Sequence, residues 1–262
     1  MEESSIPEFR SWFKAYVNRF RSEDQSIQRN ITLKEEHTFR VCENIISIAR
    51  SVGLDDRDAR LAETIALFHD LGRFEQLRRY GTFSDMASEN HALLSLKALD
   101  QSRVLSCLKD SEKKSIFRAI ELHNQRHLPS DEPADSLLLS KLIRDADKLD
   151  ILGITVGYLK EREKDPNPAI ELNMPDTPGC SQKMIEDILS CNQADIQSVK
   201  NYNDMKLFYL TWIFDINFDF TLKSIVQRGY VEEMAKSLPD TEDVSRAHSH
   251  INCYIAKRAG IQ

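Results

Sequence analysis

The sequence predicts an all-α protein, in which a helical bundle is followed by an additional C-terminal helical region. Three observations support this prediction. Apolar residues recur at intervals of three and four in one segment after another. Runs that alternate between apolar and polar residues, as a half-buried strand would, are absent. Glycine and proline are scarce, at eight each among 262 residues, which is typical of long helices with short connections.

Clear examples of the periodic segments are residues 9–20, 39–48, 61–71, 116–123, 137–158, 207–216 and 244–255. Polar residues that favour helix N-termini stand before several helices, and they are Asp55 or Asp56, Ser111 and Thr241. Gly53 and Gly72 are predicted as helix ends, because glycine readily adopts the backbone conformation that terminates a helix.

One segment interrupts the helical pattern. Residues 163–181 contain four prolines and little helical periodicity. We therefore predict a helical domain over residues 1–162, a proline-rich loop over 163–181, and a helical extension over 182–262 packed on the same domain. The extension is rich in aromatic residues between 202 and 220, and we expect these to pack its helices.

The composition excludes several classes of protein. The net charge is -7 with both signs interspersed, which argues against an extended nucleic-acid-binding face but allows a small phosphorylated substrate. The sequence shows no signal-peptide pattern and no apolar run of about 18 residues, so we expect a cytoplasmic protein without membrane contact. The five scattered cysteines predict reduced thiols rather than a disulfide framework or a cysteine zinc site.

Four histidines share the apolar faces of their predicted helices: His37, His69, His91 and His123. Asp147 lies on such a face as well, between Ile143 and Ile151. A buried carboxylate costs several kcal/mol unless it is paired or bound to a metal. A divalent cation would explain why these side chains converge, since it neutralises carboxylates and binds neutral imidazoles. The adjacent pair His69-Asp70 could reach one ion beyond the end of its helix. His127, His248 and His250 are predicted at the surface or in helix packing.

The ordered residues His37, His69-Asp70 and Asp147 resemble the HD superfamily of metal-dependent phosphohydrolases. The similarity is carried by ALFHDLGRF and IRDADKLDIL and spans about residues 30 to 160. The stretches HDLGRFEQLRRYGTF and SENHALLSL look like a bacterial subgroup of unknown substrate. The resemblance implies an HD-domain helical bundle, and it selects Asp147 over Asp145 and Asp150 as the fourth ligand, because Asp147 stands in the Ala-Asp-Lys-Leu context.

The resemblance implies a metal site formed by His37, His69, Asp70 and Asp147. It further implies that His91 and His123 bind a second ion or the substrate phosphate. The cofactor would be one or two divalent ions, and Mn, Fe, Co, Ni, Zn and Mg all suit a histidine-aspartate site.

The predicted activity is hydrolysis of a phosphate ester of a nucleotide or another small metabolite by a metal-activated water. Catalytic roles are predicted for Asp70, Arg73 and Lys148, and substrate contacts for Arg73 and Asp150. Arg78 and Arg79 are weaker candidate cations. Arg73 stands where some related nucleotidases have an acid, so Asp70 or Glu75 is the predicted general base.

Two alternatives stay open: a non-catalytic module that binds metal and nucleotide, and a di-iron oxygenase of the HD type. A stringent-response hydrolase is disfavoured by the lack of a synthetase domain. A cyclic-dinucleotide hydrolase is disfavoured because Gly72-Arg73-Phe74 replaces the Gly-Tyr-Pro motif of that group. The sequence makes no prediction of oligomeric state.

Overall fold

The computed structural model describes residues 5–260, which contain twelve α-helices and no β-strand. The all-α prediction is therefore confirmed. The helices are α1 (Ser5–Asn18), α2 (Gln25–Ser51), α3 (Asp56–Phe68), α4 (Leu71–Tyr80), α5 (His91–Ser102), α6 (Asp110–Leu122), α7 (Ala134–Glu161), α8 (Gln182–Leu189), α9 (Tyr202–Thr211), α10 (Asp219–Gln227), α11 (Tyr230–Lys236) and α12 (Glu242–Ala259).

The chain divides into two compact units, of which the first ends at Asp150 and the second begins at Ile151. This division falls inside α7. Among the described residues, no α-helix lies between the end of α7 at Glu161 and the start of α8 at Gln182, where the sequence predicts a proline-rich loop. The domain limits drawn from the sequence stay a prediction.

The first unit is arranged around α3, whose last eight residues are all buried. This helix packs against α1, α2 and α6, while α4 packs along α5. Asp24 and Asp55 cap α2 and α3 by accepting backbone hydrogen bonds from Ile27 and Asp58. The capping prediction at Asp55 is thus confirmed. The central position of α3 matters for the site, because the next two residues along the chain are His69 and Asp70.

Of the two glycines predicted to end a helix, Gly53 does so and Gly72 does not. Gly53 follows the end of α2 with a φ of +75°, as predicted for a helix end. The prediction for Gly72 is wrong, because Gly72 is the second residue of α4. A Cβ atom at Gly72 would lie 2.2 Å from the carbonyl oxygen of His91 and 2.6 Å from Cβ of Leu94. Glycine is therefore required here for the close approach of α4 and α5.

Gly72→Ala is expected to destabilise the first unit. The added methyl group must push α5 away, and such overpacking typically lowers the free energy of unfolding by about 1 to 3 kcal/mol. Thermal unfolding should show a melting temperature lower by roughly 2 to 4 °C for each kcal/mol. The matched control is Gly157→Ala, at an exposed position of α7 where a Cβ meets no atom within 4 Å. Equal melting of the two variants would contradict the packing role of Gly72.

The second unit contains the remainder of α7 and helices α8 to α12, with α8 packed on α9 and α12. Its aromatic residues serve packing in part, since Tyr202 is buried and Phe214 contacts Tyr254 at 4.9 Å between ring centroids. Thr241 caps α12 as predicted. None of the described helices is both long enough and apolar enough to cross a membrane.

Candidate metal centre

The structure brings all six predicted ligands together inside the first unit. They come from the middle of α2 (His37), the link between α3 and α4 (His69 and Asp70), the first residue of α5 (His91), the residue after α6 (His123) and α7 (Asp147). The four histidines and Asp70 are buried. The side chain of Asp147 is 18% exposed, which places it at the opening of the cluster.

One part of the cluster is formed by His37, His69, Asp147 and the Oδ2 atom of Asp70, and we call it the first ligand set. Nε2 of His37 lies 3.1 Å from Oδ1 of Asp147 and 3.5 Å from Oδ2 of Asp70. Nε2 of His69 lies 3.6 and 3.7 Å from the same two oxygens. Two imidazole nitrogens and two carboxylate oxygens therefore face one another.

The second ligand set consists of His91, His123 and the Oδ1 atom of Asp70. The two Nε2 atoms lie 2.9 Å apart, and Nε2 of His91 lies 3.4 Å from Oδ1 of Asp70. Asp70 therefore belongs to both sets, with a different oxygen directed to each.

Every histidine of the cluster has an acceptor at Nδ1. The partners are Asp150 for His37, the carbonyl of Ala66 for His69, Asp85 for His91 and the carbonyl of Ile120 for His123, at 2.6 to 2.7 Å. A carbonyl oxygen only accepts, so His69 and His123 carry a proton on Nδ1. Their Nε2 lone pairs consequently point into the cluster, as in metal sites where an outer acceptor orients the imidazole.

The residues present fit a divalent cation. Nε2 of His37, Nε2 of His69 and Oδ1 of Asp147 are buried and have no hydrogen-bond partner. Leaving such a group unsatisfied costs about 1 to 3 kcal/mol, and a cation could accept an electron pair from all three. The separations of 2.9 to 3.7 Å also resemble the roughly 3.0 to 3.4 Å between neighbouring ligands with metal bonds of about 2.1 Å.

Residues 35–152, which contain this cluster, match the HD domain family. The chain contains an HD domain. The resemblance seen in the sequence is confirmed, and the matched range includes all six predicted ligands. Members of this family are generally metal-dependent phosphohydrolases. Comparison with curated proteins and with solved structures found no match.

Burial and charge act against each other in the HD domain. Burial alone would raise the pKa of Asp147, but its contacts with His37 and His69 hold that pKa well below its usual range. Burial would lower the pKa of His37, yet its contacts with Asp147, Asp150 and Asp70 raise it to about 10. Without a metal ion, a proton on His37 would therefore take the place of the cation between its Nε2 atom and Oδ1 of Asp147.

The second ligand set has the opposite electrostatics. Burial lowers the pKa of His123 to about 3, and the neighbouring His91 and His69 act in the same direction. Burial and the charge of Arg73 also lower the pKa of His91. These two imidazoles are therefore neutral, which is the form that binds a metal.

Metal affinity is expected to rise with pH. A histidine with a pKa of about 10 is protonated at pH 7, so a cation must displace that proton from His37. The apparent dissociation constant should fall about tenfold for each unit between pH 6 and pH 8 and level off near pH 10. Competition with a chelator of known pH dependence would measure the apparent dissociation constant for Mn²⁺ at each pH. Constant affinity over this range would contradict the raised pKa of His37.

Arg73 and Asp150 contact different ligands of the cluster. Nε of Arg73 lies 3.6 Å from Oδ1 of Asp70, beside the second ligand set. Asp150 lies behind His37, where it also pairs with Nε of Arg40 at 2.7 Å. A positioning role for Asp150 follows more directly from these contacts than the predicted contact with substrate. Lys148 is buried on α7 next to Asp147.

Glu75 is engaged elsewhere. Its carboxylate accepts hydrogen bonds from Arg78 at 2.8 Å and from Arg79 at 2.5 Å. Glu75, Arg78 and Arg79 therefore form an ion-pair network with one another. This pairing favours Asp70 over Glu75 as the predicted base, and it agrees with the lower rank of Arg78 and Arg79 among the cations.

Three contacting residues were missed in the sequence: Lys34, Arg40 and Asp85. Nζ of Lys34 donates to Oδ2 of Asp70 at 2.8 Å. Lys34 lies one turn before His37 on α2, so helical spacing could have identified it. Asp85 lies outside the α-helices in a short 3-10 turn, where periodicity carries no signal.

Proposed function

We propose that the HD domain hydrolyses phosphate esters of nucleotides or other small phosphorylated metabolites. The observation that carries this proposal is the group of buried, unpartnered ligand atoms on His37, His69 and Asp147. The first ligand set would hold one divalent cation. The second would hold another cation or the substrate phosphate. A bound cation would supply Lewis-acid activation of water and of a phosphoryl oxygen.

The protein's own side chains would hold the anionic substrate. Lys34 and Arg73 contact different oxygens of Asp70, and their side chains are 13% and 15% exposed. Both therefore reach the edge of the cluster. A phosphoryl group arriving there would be stabilised by these two cations as negative charge develops on its oxygens. Lys148 is proposed as a third cation.

Asp70 is the proposed partner of the attacking water. Burial would raise its pKa, but Lys34, His69, His37 and Arg73 hold that pKa well below its usual range. Asp70 therefore stays ionised and accepts a hydrogen bond from the water, which orients the lone pair toward phosphorus. Asp150 fixes the ring of His37 from behind.

Lys34→Met is expected to weaken the use of phosphorylated substrates. A hydrogen bond to a charged group contributes about 1.5 to 3 kcal/mol, so kcat/KM should fall roughly 10- to 150-fold. The loss should appear mainly in kcat, because the charge that Lys34 stabilises develops in the transition state, and Lys34→Arg should restore part of it. Lys14→Met is the matched control, because Lys14 also lies over a phenylalanine ring but on the exposed side of α1. Unchanged kinetics in Lys34→Met would remove Lys34 from the substrate site.

The proposed function is tested by a hydrolysis assay. The purified protein would be stripped with a chelator, reloaded with Mn²⁺ and offered a panel of phosphomonoesters, phosphodiesters and nucleotides. We expect hydrolysis that depends on the metal, measured as free phosphate from the monoesters and, by chromatography, as the monoester product from the diesters. A loaded protein that binds nucleotides without hydrolysing them would instead support the regulatory module. Oxygen consumption by an iron-loaded protein would support the oxygenase.

A further inference from the structure

We propose that Asp85 is the positioning residue of the second ligand set and makes binding of a second cation depend on the segment 84–90. This inference rests on the metal-binding part of the proposed function. The carboxylates that orient the histidines of the two ligand sets come from different parts of the fold, with Asp150 on α7 and Asp85 in the segment 84–90.

Asp85 connects the elements that carry the second ligand set. Its oxygens accept from Nδ1 of His91 at 2.6 Å, from Nη1 of Arg73 at 3.0 Å and from Nδ2 of Asn124 at 3.2 Å. Arg73 also lies 3.6 Å from Oδ1 of Asp70, and Asn124 follows His123 in the chain. Asp85 thus contacts His91 directly and reaches the other two ligands through Arg73 and Asn124.

The carboxylate has a direct effect on His91. An anion at Nδ1 fixes the tautomer and the ring orientation, and it makes Nε2 a stronger electron-pair donor. His123 has only the carbonyl of Ile120 in that position. In the first ligand set, His37 is backed by Asp150 while His69 is backed by a carbonyl. Each set therefore contains one histidine oriented by a carboxylate.

The two carboxylates differ in how firmly they are held. The side chain of Asp150 lies on α7, is 7% exposed and is fixed by Arg40. The side chain of Asp85 is 30% exposed. None of the residues 84–90 is buried, and Gln76 holds the segment through hydrogen bonds to Asp85, Ser88 and the carbonyl of Glu89.

A segment held by polar contacts at the surface opens at a lower free energy than a packed helix. When segment 84–90 leaves, His91 loses the group that orients it. As defined above, the second set has three donor groups and the first has four, and His123 of the second set also lies within 4.8 Å of His69 and Asp147. We infer that the first ligand set fills first, and that the second ion binds more weakly and only while segment 84–90 is seated.

The test is a titration of the metal-free protein with Mn²⁺, followed by electron paramagnetic resonance. The wild type should bind two ions in two steps, with a spin-coupled signal after the second. Asp85→Asn should weaken the second step by about 10- to 100-fold and leave the first unchanged. Asp150→Asn should weaken the first step instead. Asp100→Asn, which removes an exposed carboxylate from α5, is the control.

Two results would overturn the inference: a wild type that binds a single ion, or an Asp85→Asn variant that binds both ions normally. If Asp85→Asn fails to fold, Asn124→Ala is the second variant to measure. It removes one hydrogen-bond donor to Asp85, so the second binding step should weaken by about threefold or more. An unchanged second step in Asn124→Ala would then refute the role of Asp85. Two-step binding that needs Asp85, without hydrolysis of any phosphate ester, would leave the inference standing and refute the proposed function.

Discussion

Replacing His69 by alanine should abolish phosphate release and weaken binding of the first cation by more than about 100-fold. Even the loss of an outer partner of a ligand costs about 10- to 100-fold in metal affinity, and the loss of a ligand should cost more. Nε2 of His69 faces Asp70 and Asp147 at 3.7 and 3.6 Å, so its removal leaves these two carboxylates with one histidine fewer. Phosphate release and the metal content of the purified variant would measure both effects.

His248→Ala is the matched control for this variant. His248 lies on α12 and pairs with Asn252 at 3.1 Å, so the same chemical change is made outside the metal centre. It should retain both metal and turnover. If the His69→Ala variant kept its activity while remaining folded by circular dichroism, the assignment of the metal centre would be wrong.

Removing the divalent cation should lower the melting temperature of the protein by roughly 5 to 16 °C. A ligand at 100 to 1,000 times its dissociation constant stabilises the folded state by about 2.7 to 4.1 kcal/mol. Each kcal/mol corresponds to roughly 2 to 4 °C for a chain of this size. The structural reason is that His37, His69 and Asp147 bury ligand atoms that a cation would satisfy. Differential scanning calorimetry with Mn²⁺ and with excess chelator would measure the shift.

The specificity of this stabilisation is tested with Asp147→Ala. This variant should melt at nearly the same temperature with and without Mn²⁺, because the first ligand set lacks one of its oxygens. A wild type that melts equally in both conditions would show that the centre does not bind Mn²⁺. A shift that persists in Asp147→Ala would show that Mn²⁺ stabilises the protein at another place.

Helical periodicity predicted the helices and placed the six candidate ligand residues in one interior, while the family resemblance supplied their roles as ligands, which stay predictions. His37 and Asp147 lie on apolar faces, and His69, His91 and His123 lie at or near helix ends that the apolar pattern marks. The ion-pairing residues escaped prediction for a different reason. Lys34 looks like an ordinary surface lysine in the sequence, since only the folded chain brings it to Asp70.

Two further features depend on tertiary contacts. Gly72 was predicted to end a helix, but it permits the close approach of α5, which is separated from it by an irregular segment. The division between Asp150 and Ile151 falls within the uninterrupted helical pattern of α7, so composition and periodicity do not reveal it. Local signals thus identified the helices and the residues that the structure brings together, while the supporting contacts came from residues distant in sequence.

The two oxygens of Asp70 have a consequence for how the centre would respond to metal concentration. Because one carboxylate serves both ligand sets, binding at one set changes the free energy of binding at the other. Thermodynamic linkage requires this effect to be reciprocal, so each ion alters the affinity for the other by the same factor. The occupancy of the centre would then be a cooperative function of metal concentration, with Asp70 as the physical origin of the coupling.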